Sequence, residues 1–133
     1  MCFIIKKKNR NIPLPKTSRK DIVCWKVLNS NFDPIIFYRN HSNYLNKGVY
    51  VAKCSKGKEI SNLTPVYHEH IFGYHWYFIN EGLHFYKDRE RAKIRCSTGR
   101  HRILRKFIIP KGTKYFSNST DIVAIKAIKL RKG

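Results

Sequence analysis

The stretch GYHWYFINEGLHFYKDRERAKIRC, residues 73–96, decides the fold class. Gly73 to Ile79 is built from aromatic and β-branched residues and reads as a strand. Asn80-Glu81-Gly82 carries tight-turn chemistry, and Gly82 to Tyr86 reads as a second strand after it. From Lys87 to Cys96 the composition changes to good helix formers. Asp88 and Glu90 come early, where the helix dipole favours anions. The apolar residues of this helix are few (Ala92, Ile94 and Cys96 behind them), which predicts a short surface helix with a thin buried stripe.

Strand signals flank this stretch on both sides. Residues 2–6 suggest a short first strand, and Asp21 to Leu28 (DIVCWKVL) is the best strand of the first half, ended by Asn29-Ser30-Asn31. Pro34 to Tyr38 is a further short strand, broken by Asn40-His41-Ser42-Asn43. Gly48 to Lys53 is another, and Cys54 to Pro65 is a polar loop with Lys56, Gly57 and Lys58 at its tip. After the helix, Ser97-Thr98-Gly99 is a stop, His101 to Ile109 a strand, Pro110-Lys111-Gly112 a turn and Thr113 to Phe116 a short strand. Asp121 to Leu130 reads as one terminal strand, because its β-branched density disfavours a helix. The expected architecture is a single α+β domain over residues 1–133, mostly antiparallel strands with one short basic helix. A basic connector at about 6–20, punctuated by Pro13 and Pro15, is expected to be extended and mobile.

The chain has 133 residues, with 28 Lys+Arg against 8 Asp+Glu and a net charge of +20. The length fits one domain, which at this size buries roughly two-thirds of its unfolded surface and needs no disulfide staples. An aromatic fraction of 14% argues against a disordered basic tail. No apolar run approaches the ~18 residues of a membrane span. The four cysteines, Cys2, Cys24, Cys54 and Cys96, have no C-x-x-C spacing, and Cys24 reads as a small core residue. The short apolar start turns basic, the reverse of a signal peptide, so reduced thiols and a cytoplasmic location are expected.

A charge this large on a small domain calls for an anionic partner, nucleic acid first among them. The sharpest feature is the segment 87–106, with Lys87, Arg89, Arg91, Lys93, Arg95, Arg100, Arg102, Arg105 and Lys106 against Asp88 and Glu90. On a helix, Lys87, Arg91 and Arg95 share a face at i, i+4 and i+8, and such a row can track phosphates. Tyr74, Trp76, Tyr77, Tyr86 and Tyr115 interleave with basic residues. Exposed rings there stack on unpaired bases, although alternate aromatics on a strand, Trp76 included, usually face a core.

His68, His70, His75 and His84, with Glu69 nearby, lack the spacing of a metal site and read as structural, so no metal and no cofactor are expected. The eight acids are scattered, and no nucleotide-binding or nucleophile-elbow motif is present. His84 is the best candidate for a general base.

Four blocks occur in order: Met1-Cys2-Phe3-Ile4-Ile5, Asp21 to Leu28, Glu81 to Tyr86 leading into Glu90-Arg91-Ala92, and Ile108 to Phe116. Together they resemble a group of small bacterial and phage proteins of uncharacterised activity, with CYKVL-like, GLHSF-like and IPKGTKYY-like blocks. This chain departs from that pattern in Trp25, where the pattern has Tyr, and in its greater basicity. The resemblance implies a phage or mobile-element context in a bacterial host cell and supplies no catalytic residues. The leading expectation is a non-enzymatic protein that binds nucleic acid mainly through phosphates. The alternatives are a phage- or prophage-encoded inhibitor docking on a host protein or ribonucleoprotein, and a small nucleotide-sugar-type transferase with His84 in its cleft.

Overall fold

The computed structural model describes residues 3–35, 43–54, 56–65 and 67–129, the side chain of Tyr67 excepted. Strands and isolated bridges account for 48% of the described residues and helix for 8%, so what is described is mainly antiparallel β with one helix, the coarse form of the expected α+β class. The strands are β1 (Phe3–Lys7), β2 (Lys16–Thr17), β3 (Ile22–Asn29), β4 (Gly48–Val51), β5 (Tyr67–Ile71) and β6 (Tyr74–Ile79). After β7 (Leu83–Tyr86) comes the helix α1 (Arg89–Ser97), followed by β8 (Arg102–Ile109), β9 (Lys114–Ser117), β10 (Asp121–Ala124) and β11 (Lys126–Lys129). No helix among the described residues is long and apolar enough to cross a membrane.

Two sheets form. The smaller has the order β1-β6-β5 and the larger β2-β9-β10-β7-β3-β8-β11-β4. Within the larger sheet, β2 and β3 pair with β9 and β8 in one common register: Lys16 faces Tyr115, and Ile22 faces Ile109. They are therefore two parts of one long antiparallel ribbon. Residues 18–21 and 110–113 interrupt it, but hydrogen bonds bridge the gap. Ser18 N donates to Thr113 O at 2.9 Å and Gly112 N donates to Ser18 O at 2.9 Å. Ser18 Oγ donates to Pro110 O at 2.8 Å, and Asp21 Oδ1 accepts from Lys111 N at 2.9 Å. Part of the 6–20 connector is built into the sheets: Lys6 and Lys7 end β1, Lys16 and Thr17 form β2, and Pro13 and Ser18 are buried.

The expected terminal strand is two strands with a bend at Ile125. The bend keeps its bonds, since Ile125 N donates to Lys114 O and Ala52 N donates to Ile125 O. Its first half pairs with β7 and β9 and its second half with β8 and β4. Because β10 and β11 are halves of one run, the path β10-β7-β3-β8-β11 returns to where it began, and the sheet curls into a small closed barrel. Inside lie Cys24, Leu28, Leu83, Phe85, Phe107, Ile109, Ile122, Ala124 and Ala127, capped by Tyr44 and Ala52. Burying such side chains away from water, at ~25 cal/mol per Å² of apolar surface, is the main force holding the barrel closed.

The small sheet packs on the barrel through a second cluster: Phe3 and Ile79 against Leu63, Phe116 and Val123. Asn118 in the β9–β10 turn ties the layers, its Nδ2 donating to Ile4 O at 3.1 Å while its Oδ1 accepts from Thr120 N and Asp121 N. The expected hairpin of residues 73–86 is therefore corrected. Asn80-Glu81-Gly82 does turn the chain, but it hands it from one sheet to the other: β6 pairs with β1 and β5, and β7 with β10 and β3. The true partner of β6 in a hairpin is β5, joined through Phe72-Gly73. Of the strand expected at 34–38, Pro34 bridges Leu28 and residues 36–38 lie outside the described residues, as do residues 40–42 of the break that follows.

Candidate nucleic-acid interface

The helix begins where a cap is available. Asp88 is extended (φ −113°, ψ 125°), and its carboxylate accepts from Glu90 N at 3.0 Å. Lys87 therefore precedes the helix, and its Nζ donates to Asn118 O at 2.9 Å. The expected row Lys87–Arg91–Arg95 is corrected to a pair, Arg91 and Arg95, because the cap removes the first member. At the other end Thr98 Oγ1 and Arg102 Nη1 both donate to Arg95 O, at 2.8 and 2.9 Å, satisfying a carbonyl that the helix leaves open. Arg102 is thus committed to the helix terminus.

Ala92 is fully buried where α1 crosses β3 and β8. With 100° between successive residues, Arg91 and Arg95 flank that contact on one side and Arg89 and Lys93 lie on the other. Glu90 and the exposed Ile94 form the crest between them. Arg89, Arg91, Lys93, Arg95 and Arg100 are all exposed. Arg89 contacts Glu90 at 3.8 Å, both solvated, a pair worth little in water. Arg105 and Lys106 are half-buried on opposite faces of β8. Arg105 lies 5.5 Å from the Phe32 ring centre and donates to Leu104 O. The nine expected residues thus divide. Five are exposed cations around α1 and its C-terminal turn, Lys87 and Arg102 are bound to backbone, and Arg105 and Lys106 sit in the barrel wall.

Two further lysines point into the barrel, which charge counting did not anticipate. Lys26 alternates with Cys24 and Leu28, is 7% exposed, and donates to His84 O at 2.5 Å. Burial pulls its pKa down to about 8 and pushes the Cys24 thiol well above its usual range. Lys129 donates to Tyr44 O and Leu45 O and lies 4.4 Å from the Phe32 ring centre. Burial, then the Arg105 and Lys47 charges, lower its pKa. His84 projects from the opposite face of β7 to Leu83 and Phe85, beside Val123. It too is 7% exposed, and burial with the Lys26 charge takes its pKa down to about 3. A ring this buried and this weakly basic is poorly placed for the general-base role.

The small sheet has two unlike faces. Its inner face carries Phe3, Tyr77 and Ile79, and at its edge His70, His75, His68 and Tyr77 form a stack of parallel rings with centroids 4.2, 5.1 and 4.5 Å apart. His68 Nε2 and His75 Nδ1 are 2.9 Å apart. Among the described residues, no group of three or more His, Cys, Asp or Glu is placed to hold a metal ion. The outer face carries Tyr74, Trp76 and Phe78 in a row along β6, all half-buried and none part of either apolar cluster. Trp76 is therefore not the core residue that alternation suggested; Tyr77 is. Lys6, paired with Trp76 across β1–β6, holds its ammonium 4.0 Å from the Tyr74 ring centre and 5.3 Å from that of Trp76. Lys6 and Phe78 were not among the expected site residues, although the two-residue period of β6 marks Tyr74, Trp76 and Phe78 as sharing one face.

No family model, curated protein or solved structure matches the chain.

Proposed function

We propose that this protein binds nucleic acid without catalysis, chiefly through phosphates, with the exposed cations of α1 and the turn after it as one part of the footprint. The observation that supports this reading is the exposed set Arg89, Arg91, Lys93, Arg95 and Arg100 on a chain of net charge +20, with only Glu90 and Asp88 among them. Exposed guanidinium groups match phosphate geometry, and such contacts position a nucleic acid without reading its sequence.

The test is a fluorescence-anisotropy titration of a labelled oligonucleotide. Affinity should fall with salt with a log–log slope of several units. Arg91→Glu with Arg95→Glu should cost about an order of magnitude per lost contact at low salt. Glu matches Arg in helix propensity, so the fold should persist, with a few tenths of a kcal/mol lost where a carboxylate in the last turn would oppose the dipole. The same reversal at Lys56 and Lys58 should matter less. Equal binding by the helix variant and the parent, with unchanged melting, would reduce the helix to a solvated face.

A further inference from the structure

We propose that the outer face of the three-stranded sheet is a stacking platform for unpaired nucleobases, formed by Tyr74 and Trp76 with Phe72 in the turn at the end of β6 and Lys6 serving the backbone. This rests on the nucleic-acid reading and adds to it a class of ligand: single-stranded DNA or RNA.

Three observations carry the inference. The first is the division of β6. Tyr77 and Ile79 are buried inward, and Tyr74, Trp76 and Phe78 lie on the face turned away from the barrel. A half-exposed row of aromatics on a sheet, at alternate positions, matches the spacing at which single-stranded bases are stacked by sheet-based binding modules.

The second is Phe72. It is 93% exposed and sits at φ +54°, followed by Gly73 at φ +77°. Positive φ at both central residues is the signature of a two-residue type I′ hairpin, a position made for Asn or Gly and poor for a bulky ring. An aromatic that is both strained and solvated gains nothing for the fold. Strain of this kind is a pointer to function when it is observed directly.

The third is the cation at the rings, where Lys6 on β1 and Glu69 on β5 flank Trp76 on the same face. Lys6 lies over both Tyr74 and Trp76, so a solvated cation reaches the ring faces from outside. Lys8 is exposed just beyond the end of β1, whereas at Arg10 the chain has crossed to the inner face, where its carbonyl accepts from the Tyr77 hydroxyl at 2.7 Å. A base laid on these rings would bring its phosphate to Lys6 and Lys8. Base–aromatic stacking tolerates any sequence, because every base has a π-face, and it is denied to a duplex whose bases are already stacked.

The experiment compares three labelled probes of equal length: oligothymidylate, oligouridylate and a DNA duplex. Trp76→Ala and Phe72→Asn are each titrated against all three, with Trp76→Phe as the conservative control. The expected result is about a tenfold loss on a single-stranded probe for each of the first two variants, with duplex affinity held and affinity largely restored by Phe. A loss on both single strands, or on only one of them, supports the platform, and a loss on one alone identifies the sugar it prefers. Phe72→Asn places a favoured residue at the turn, so it should melt no lower than the parent, and its loss of binding cannot be assigned to unfolding. Single-strand and duplex affinities falling together, or neither falling, would overturn the platform while leaving phosphate binding intact. Failure of the parent to bind any of the three probes would instead remove the nucleic-acid reading and the platform with it.

Discussion

Lys26 gives the most direct test of the folded structure. The perturbation is Lys26→Met, which keeps the length and shape of the side chain and removes its charge. In the folded protein, burial pulls the Lys26 pKa from 10.5 down to about 8, opposed in part by Cys24. At ~1.4 kcal/mol for each pH unit, the difference between these values is about 3 kcal/mol. The sign follows from proton counting. Between pH 8 and 10.5 the unfolded chain holds a proton on Lys26 that the folded chain has released, so stability rises with pH across that window. That stability is complete above 10.5 and is lost as pH falls through 8, where folding must carry the charge into the barrel. The assay is urea denaturation of the parent and Lys26→Met at pH 7, 8, 9 and 10, fitted by linear extrapolation. The general relief of self-repulsion at high pH affects both proteins alike, so the difference between them isolates this one group. Against the parent, the Met variant should be relatively most stable at pH 7 and should lose up to about 3 kcal/mol of that advantage by pH 10. At pH 7 part of the gain is offset by the bond to His84 O, worth ~1 kcal/mol or more when its acceptor is left unmade. Parallel pH profiles would refute the placement of the ammonium inside the barrel.

The remaining predictions concern the second buried base and the turn between the sheets. Burial and the Lys26 charge hold His84 at about 3 against an ordinary 6.5, so its contribution is present above pH 6.5 and lost as pH falls toward 3. Stability of the parent should drop by about 2 kcal/mol between pH 6.5 and 5 relative to His84→Gln, measured by the same denaturation series. Gly82→Ala should cost about 2 kcal/mol or more, because φ is +110° and the new Cβ would stand 2.6 Å from Val123 Cγ2 and 2.9 Å from Leu63 Cδ2. A thermal melt unchanged by that substitution would contradict the close approach of the turn to the second cluster.

Much of the strand and helix content was legible because it rests on local chemistry. DIVCWKVL is rich enough in β-formers to be recognised alone, and its alternation already placed Lys26 on the face of Cys24 and Leu28. What charge counting hid was that this face is the barrel interior, where an ammonium is unexpected. The two-sheet arrangement was not legible, because Gly82 to Tyr86 has the same alternation whichever sheet it joins; only the long-range pairing with β10 and β3 decides. β5 escaped notice because His68, Glu69 and His70 are weak strand formers and the strand is held by its register with β6. In the candidate site the exclusion of Lys87 was readable in principle, since Asp88 is a preferred N-cap residue directly before Arg-Glu-Arg-Ala. The commitment of Arg102 to the helix terminus was not, because it depends on the chain reversing at Ser97 to Arg100 and bringing β8 back beneath α1.

The fold also separates the two proposed modes of contact, and this makes them distinguishable. The cations of α1 stand on the outer wall of the barrel over β3 and β8, whereas the aromatic row stands on a different sheet, fixed between β1 and β5. β6 is the central strand of its sheet and is anchored by Ile79 in the second cluster. The strand that carries these rings is therefore fixed before any ligand arrives, which lowers the entropy lost on binding. Phosphate contacts release counter-ions and respond to salt; stacking contacts do not. Charge reversal on α1 should thus flatten the salt dependence for single strands and duplex together. Loss of the Trp76 ring should shift the single-strand curve at every salt concentration by a constant factor. That independence follows from the geometry: a single aromatic surface beside the α1 cations would couple the two effects, and two surfaces on separate sheets leave them additive.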